Sequence, residues 1–275
     1  MHPLSPIFRR LAAALAFSAL LLSPALADTI GFFYALDADL QGLKTRARPI
    51  GQSVLVGSRA IQRLRLDTHS IYAVKMGSGA VETAASAQAL LSRFPCDWAF
   101  AIGPAGALSE AIRPGGWHRV DRVTAWQRAN AEEAWITDWT RLPATSLPPP
   151  LQTTSTLSVA SGEQFISTTG ERDRLQAATQ ADAVDMNSFG LALVCADHGV
   201  PLFSWKIISD RADEDAAATF RAFTATYAGE GGEALAEVIQ SLPANPNDPA
   251  TYPAIEKLLR ESPSEPWAPS PPGSE

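Results

Sequence analysis

Apolar, strand-like runs alternate with helical patterns along this chain, and that alternation restricts it to few folds. "TIGFFYAL" (Thr29 to Leu36), "SIYAVKM" (Ser70 to Met76), "DWAFAIG" (Asp97 to Gly103), "STLSVASG" (Ser155 to Gly162) and "PLFSWKIIS" (Pro201 to Ser209) read as strands. Several are apolar at nearly every position, as strands covered on both faces must be. Between them, "VETAASAQALLSRF" (Val81 to Phe94) and "SFGLALVCADHG" (Ser188 to Gly199) have helical periodicity, the second closing on Gly199 as its C-cap. "DEDAAATFRAFTATYA" and "GEALAEVIQSL" read as two terminal helices. The pattern predicts an α/β fold of three layers, α/β/α, around a central mixed, largely parallel twisted sheet.

The ends of the chain read differently. Arg9 and Arg10, the apolar stretch Leu11 to Leu22 and the small residues Ala25, Leu26 and Ala27 have the order of a cleavable export signal. The apolar run is short for a membrane span. The expected organisation is therefore a signal peptide at 1–27, a single domain at 28–261 and a disordered Pro/Ser-rich tail at 262–275, with a periplasmic or secreted destination. Loss of residues 1–27 removes Arg9 and Arg10 and no acid, taking the formal charge from −7 to −9. So acidic a protein, without a basic stripe, is a poor partner for nucleic acid or an anionic membrane. Cys96 and Cys195 have no metal-ligand spacing around them and are expected as buried free thiols. No metal and no cofactor are expected.

"SWKIISDRADED" (Ser204 to Asp215) ends an apolar strand on Ser209 and Asp210 and continues into further acids. Asp210 could simply cap the following helix. An acid at the carboxyl end of a strand in an α/β sheet is also where ligands bind. Asp37-Ala38-Asp39 follows the first strand in a similar way and resembles the nucleophile motif of haloacid-dehalogenase-type phosphatases, but it continues Leu40-Gln41 where that motif has Thr or Gly-Thr. No G-x-S-x-G elbow and no G-x-G-x-x-G fingerprint is present, which sets aside a serine hydrolase and a dinucleotide site.

Five blocks in order carry a clearer pattern: "IGFFYALDADL", "VKMGSGAVETAASAQALL", "DWAFAIGPAGAL" with "IRPGGWHRVDRV", "VASGEQFIS" and "AVDMNSFGLALVCADHGVPLFSWKIISDRAD". Together they resemble the purine nucleoside phosphorylase superfamily, most closely its hydrolytic branch, the 5′-methylthioadenosine/S-adenosylhomocysteine nucleosidases, over roughly Ile30 to Phe223. The resemblance implies a nucleoside phosphorylase-like fold, a small-molecule purine nucleoside as partner, and usually a homodimer. It also implies roles. Asp210, with Ser209 beside it, would protonate the departing purine, and Asp39 in the first loop, where the family usually has Glu, would activate water. Phe165 would stack on the base, the backbone of Ile166 would bond its edge, and Met186 would lie under the ribose. Gly103 and Gly106 would let the nucleoside approach the backbone.

Two departures from the family pattern bear on activity. The family's E-M-E reads Asp185-Met186-Asn187, so an amide replaces the carboxylate that grips the ribose hydroxyls, and Pro104 stands where Ser is common. Phosphorolysis needs a cationic cradle, whereas "ALDADLQG" is acidic and free of Arg. Hydrolysis is therefore the expected reaction. The alternatives are a phosphorylase, or a catalytically weakened nucleoside-binding protein on the same fold.

Overall fold

The computed structural model describes residues 28–127, 132–135, 148, 151–152 and 155–242. The expected signal peptide at 1–27, residues 243–261 of the expected domain and the tail at 262–275 lie outside the described residues, as does most of the Pro-rich stretch 141–152.

Four parallel strands form the centre: β1 (Thr29–Tyr34), β5 (His69–Lys75), β6 (Trp98–Ala107) and β11 (Leu202–Asp210), side by side in the order β5-β1-β6-β11. Antiparallel pairings extend the sheet outward. β4 (Arg59–Leu66) pairs with β5, and both β2 (Arg48–Pro49) and β3 (Val54–Val56) pair with β4. On the other side β7 (Trp117–Ala125) runs against β11, with β8 (Glu132–Trp135) against β7. β9 (Thr156–Ser161) then lies parallel to β7, and β10 (Ala183–Asp185) parallel to β9. β10 also pairs with β6, so this half of the sheet closes on itself.

Because successive strand residues point to opposite faces, the apolar strands feed two cores. Phe33, Val74 and Ala101 face one side, where α2 (Ala80–Leu91) and α4 (Ser188–Asp197) bring Leu90, Leu91, Leu191 and Val194. Phe32, Phe100 and Trp205 face the other, covered by Leu40 and Leu43 of α1 (Asp37–Lys44) and by Leu235, Val238 and Ile239 of α6 (Glu230–Gln240). Each such side chain, once fully buried, contributes about 1.5–3 kcal/mol. α3 (Thr169–Thr179) and α5 (Ala216–Thr226) complete the helices. The three-layer α/β/α architecture is the expected one.

Two regions differ from the sequence reading. "DADLQGLK", expected as a loop, is helix α1: its acids Asp37 and Asp39 occupy the first turn, where the helix dipole favours negative charge, while Leu40 and Leu43 bury. α1 also lies unusually close to α6, because a methyl group on Gly232 would collide with the backbone of Asp39. "RAIQRLRL" and "WHRVDRVTA" form β4 and β7, and their charged residues hide them among the more apolar strands.

Candidate active site

The carboxyl ends of β1, β5, β6, β10 and β11 surround a cavity of about 390 Å³. Open α/β sheets bind ligands at this edge. Leu36 and Lys75 stand in one part of its wall, Met186 and Asn187 in another, and Phe165 and Asp210 in a third.

Asp210 is the last residue of β11. The register of β11 on β6 slips between Ile208 and Asp210 at the site of the turn out of the sheet. Its Oδ2 accepts a 2.7 Å hydrogen bond from Ser209 Oγ and its Oδ1 accepts from Ala212 N at 2.9 Å. Ser209 Oγ also lies 3.3 Å from Ala105 O. A hydroxyl has one proton, so this triangle suits both forms of the acid: Ser209 donates to the carboxylate, or receives the proton of a carboxylic acid and donates to Ala105 O. Burial raises the pKa of Asp210, against the lowering effect of those two bonds, and Asp213 nearby adds to the rise. The helix-cap role is excluded by position: α5 starts at Ala216 with Asp215 as its N-cap, well beyond Asp210.

Next to Asp210, Gly106 keeps the wall open, since a Cβ there would sit 2.8 Å from Asp210 Oδ1. Gly103, expected to touch the ligand, does not line the cavity. It lies lower on β6, where a Cβ would press on Ala35 at 2.9 Å, so its smallness serves strand packing. Phe165 and Ser209 do line the cavity, and Ile166 is buried in a small annex that shares Phe165, Met186 and Asp210 with it. Phe165 meets Phe220 of α5 with ring centroids 5.9 Å apart, a tilted aromatic pair that walls the cavity.

Asn187 lines the cavity, but its amide nitrogen is committed to the scaffold: Nδ2 donates to Gly77 O at 2.8 Å and to Thr83 Oγ1 at 2.9 Å. Only Oδ1 is left for a ligand, as an acceptor. Two residues earlier, Asp185 pairs with Lys206 at 2.6 Å and accepts from Ser188 N and Oγ. Burial alone would raise the Asp185 pKa, but Lys206 and the Ser188 bonds hold it below the usual carboxylate range. This buried pair fixes the turn that presents Met186 and Asn187. Sequence reasoning missed it, although a lysine inside an all-apolar strand, "FSWKIIS", must find a carboxylate.

Asp39 stands apart from these groups. Expected to face the ligand from a loop, its carboxyl is instead wholly buried in α1 and absent from the cavity wall. Oδ1 accepts from Tyr227 OH at 2.5 Å, while Oδ2 has no hydrogen-bond partner. Burial pushes its pKa up to about 7, against the Tyr227 bond. From this segment Ala35 and Leu36 line the cavity, Leu36 lying one turn before Asp39, whose N–H bonds Leu36 O at 3.1 Å.

Helix N-termini attract anions, and carboxylates of the protein itself already occupy those of α2 and α4. Glu163 Oε1 accepts from Val81 N at the start of α2 at 2.9 Å, and Asp185 accepts from Ser188 N at the start of α4. Among the described residues, no cluster of three or more His, Cys, Asp or Glu is arranged to hold a metal ion. Cys96 and Cys195 are free thiols, and burial raises the pKa of each.

Such a cavity, with an acid at a strand end in a mixed α/β sheet that half closes, is the setting of a small-molecule site. The chain belongs to the phosphorylase superfamily, whose pattern it matches over residues 29–240. It is 24% identical to a 5′-methylthioadenosine/S-adenosylhomocysteine nucleosidase of Staphylococcus saprophyticus over 228 residues, 78% of this chain and 100% of that one. An aminodeoxyfutalosine nucleosidase of Helicobacter pylori is 34% identical over 84 residues, a match that spans 30% of this chain and 36% of the length of that relative. Among solved structures, a Helicobacter pylori 5′-methylthioadenosine/S-adenosylhomocysteine nucleosidase superposes with a TM-score of 0.71 at 18% identity, covering 78% of this chain and 99% of that one. A futalosine hydrolase of the same organism superposes equally well, at 19% identity.

Proposed function

We propose that this protein is an N-glycosyl hydrolase acting on an adenosine-type purine nucleoside of the 5′-methylthioadenosine/S-adenosylhomocysteine kind. The observation that carries the reading is Asp210: an acid on the cavity wall, with its pKa raised and Ser209 poised to exchange a proton with it. N-glycoside cleavage builds positive charge on the sugar and negative charge on the leaving base. Asp210 supplies the proton that lets the purine leave, a step typically contributing about 10²–10⁴-fold. Phe165 and Phe220 stack around the base, and Asn187 Oδ1 accepts from a ribose hydroxyl.

Water must then add to the sugar. Asp39 is the base proposed for that step. Its pKa near 7 suits proton uptake at neutral pH. Its Oδ2 is a buried acceptor without a donor, and such groups are ordinarily satisfied. Tyr227 fixes the other oxygen, which leaves Oδ2 as the one assigned to accept from the water in this proposal. Hydrolysis is favoured over phosphorolysis because no arginine lines the cavity among the described residues, and Asp185 already occupies the N-terminus of α4 beside it.

The test is a base-release assay on a panel of purine nucleosides, with and without phosphate. Equal rates in both buffers, with a free sugar as product, support hydrolysis. A strict phosphate requirement with a sugar 1-phosphate as product overturns it, and tight binding without base release identifies a nucleoside-binding protein instead. The proposal also places the enzyme in the periplasm or outside the cell, as a homodimer, on the strength of the leader pattern at 1–27 and the family habit. Mass spectrometry of the protein from its host checks the first point by looking for a mature N-terminus at Asp28.

A further inference from the structure

We propose that Lys75 binds a carboxylate at the far end of the nucleoside's 5′-substituent, so that the preferred substrates carry a carboxylate on that tail. This rests on the nucleoside reading above and specifies its substrate class. Lys75 ends β5 and lines the cavity, and Asp210 ends β11. In the sheet the order β11-β6-β1-β5 puts three strand spacings between them, roughly 14 Å laterally at about 4.8 Å per strand. Between these ends lies Asn187, tied to Gly77 O at 2.8 Å, and Gly77 is two residues beyond Lys75. A nucleoside with its base on Asp210 and its ribose on Asn187 therefore points its 5′ end toward Leu36 and Lys75.

The ammonium of Lys75 is held by Asp37 Oδ2 at 2.7 Å, with the two side chains 51% and 67% exposed. Of the pair, only the cation lines the cavity. So exposed an ion pair is weak and readily exchanged. An incoming carboxylate can take the place of Asp37 on Lys75, like for like. Asp37 loses little by this, because it is the first residue of α1 and keeps the favourable field of that helix's N-terminus. The exchange leaves one acid on the lysine and one on the helix, both compensated.

Binding of S-adenosylhomocysteine, its decarboxylated analogue and 5′-methylthioadenosine is measured by calorimetry on the full chain carrying Asp210→Asn, which separates affinity from turnover. With Lys75 intact, the carboxylate-bearing nucleoside binds at least about tenfold tighter than the decarboxylated one. Lys75→Met on that background removes this ratio, Lys75→Arg retains it, and Asp37→Asn widens it by freeing the lysine. High salt narrows it by screening. If Lys75→Met leaves the ratio unchanged, the inference is overturned, whatever the wild-type enzyme releases. Base release by the wild-type protein reports separately on the hydrolase reading. Failure of all three nucleosides to bind overturns both.

Discussion

Asp210 and Asp39 follow apolar strands of the same sheet, and they end in opposite surroundings. Asp210 stops at the sheet edge, on the cavity wall, held by one hydroxyl and one backbone N–H. Asp39 is carried a further turn into α1, where the close approach of α6 and the phenol of Tyr227 enclose it. Burial raises both pKa values, but the local chemistry differs. One acid has a ligand-facing side and a neighbour that can exchange a proton with it; the other is clamped at one oxygen and bare at the second. The proposed function gives these two acids the two proton transfers of a hydrolysis, and helix rotation and packing set the surroundings in which each would act.

The comparison breaks most severely if the pair beneath the cavity is disrupted. Lys206→Met leaves Asp185 as an uncompensated buried charge and should cost about 3–5 kcal/mol of stability, read by chemical denaturation at neutral pH. An effect confined to activity would show that the pair is not the support of the Met186–Asn187 turn. Close behind is the linkage at Asp39. Folded, Asp39 keeps its proton up to about pH 7, while in the unfolded chain it ionises near 3.8. Its contribution to stability is therefore full below about pH 4 and is lost as pH rises through about 7, by up to about 4 kcal/mol. Asp39→Asn should flatten stability against pH across that window and stabilise the protein at pH 8, while slowing base release by about 10²-fold or more. Near-normal turnover in Asp39→Asn would reduce Asp39 to an anchor between α1 and α6. The smallest effect is expected at Asn187. Asn187→Asp sets a carboxylate against Gly77 O and removes two donated bonds, at about 1–3 kcal/mol. Unchanged stability in that variant would mean that the amide is free to serve the ligand with both its ends.

The strands of the centre, the three-layer order and the helices α2, α4, α5 and α6 were legible because burial on both faces leaves uninterrupted apolar runs. β4 and β7 were not, since arginines on their outward faces break the run without breaking the strand. At the site, Asp210, Ser209, Phe165, Met186 and Asn187 were legible through the family resemblance of the five sequence blocks, and they meet on one cavity. The side on which Asp39 falls depends on how α1 packs against α6, a contact between segments nearly two hundred residues apart, and no local pattern encodes it. The same holds for Phe165 with Phe220, whereas for Asp185 with Lys206 the buried lysine signalled a carboxylate but not which one. The amide of Asn187 illustrates the limit in another way: its residue type suggested a ligand contact, while its hydrogen bonds show half of it serving the backbone of Gly77.

Base release by the wild-type protein and by Asp210→Asn, measured side by side in phosphate-free buffer, tests the central claim most directly. The carboxamide keeps the shape and the bond from Ala212 N but has no proton to transfer to the base. Wild-type protein should release adenine from 5′-methylthioadenosine, with kcat falling as pH rises through the raised pKa of Asp210. Asp210→Asn should bind the same nucleoside and release its base about 10²–10⁴-fold more slowly. Equal rates in the two proteins, or release in neither the presence nor the absence of phosphate, would contradict it.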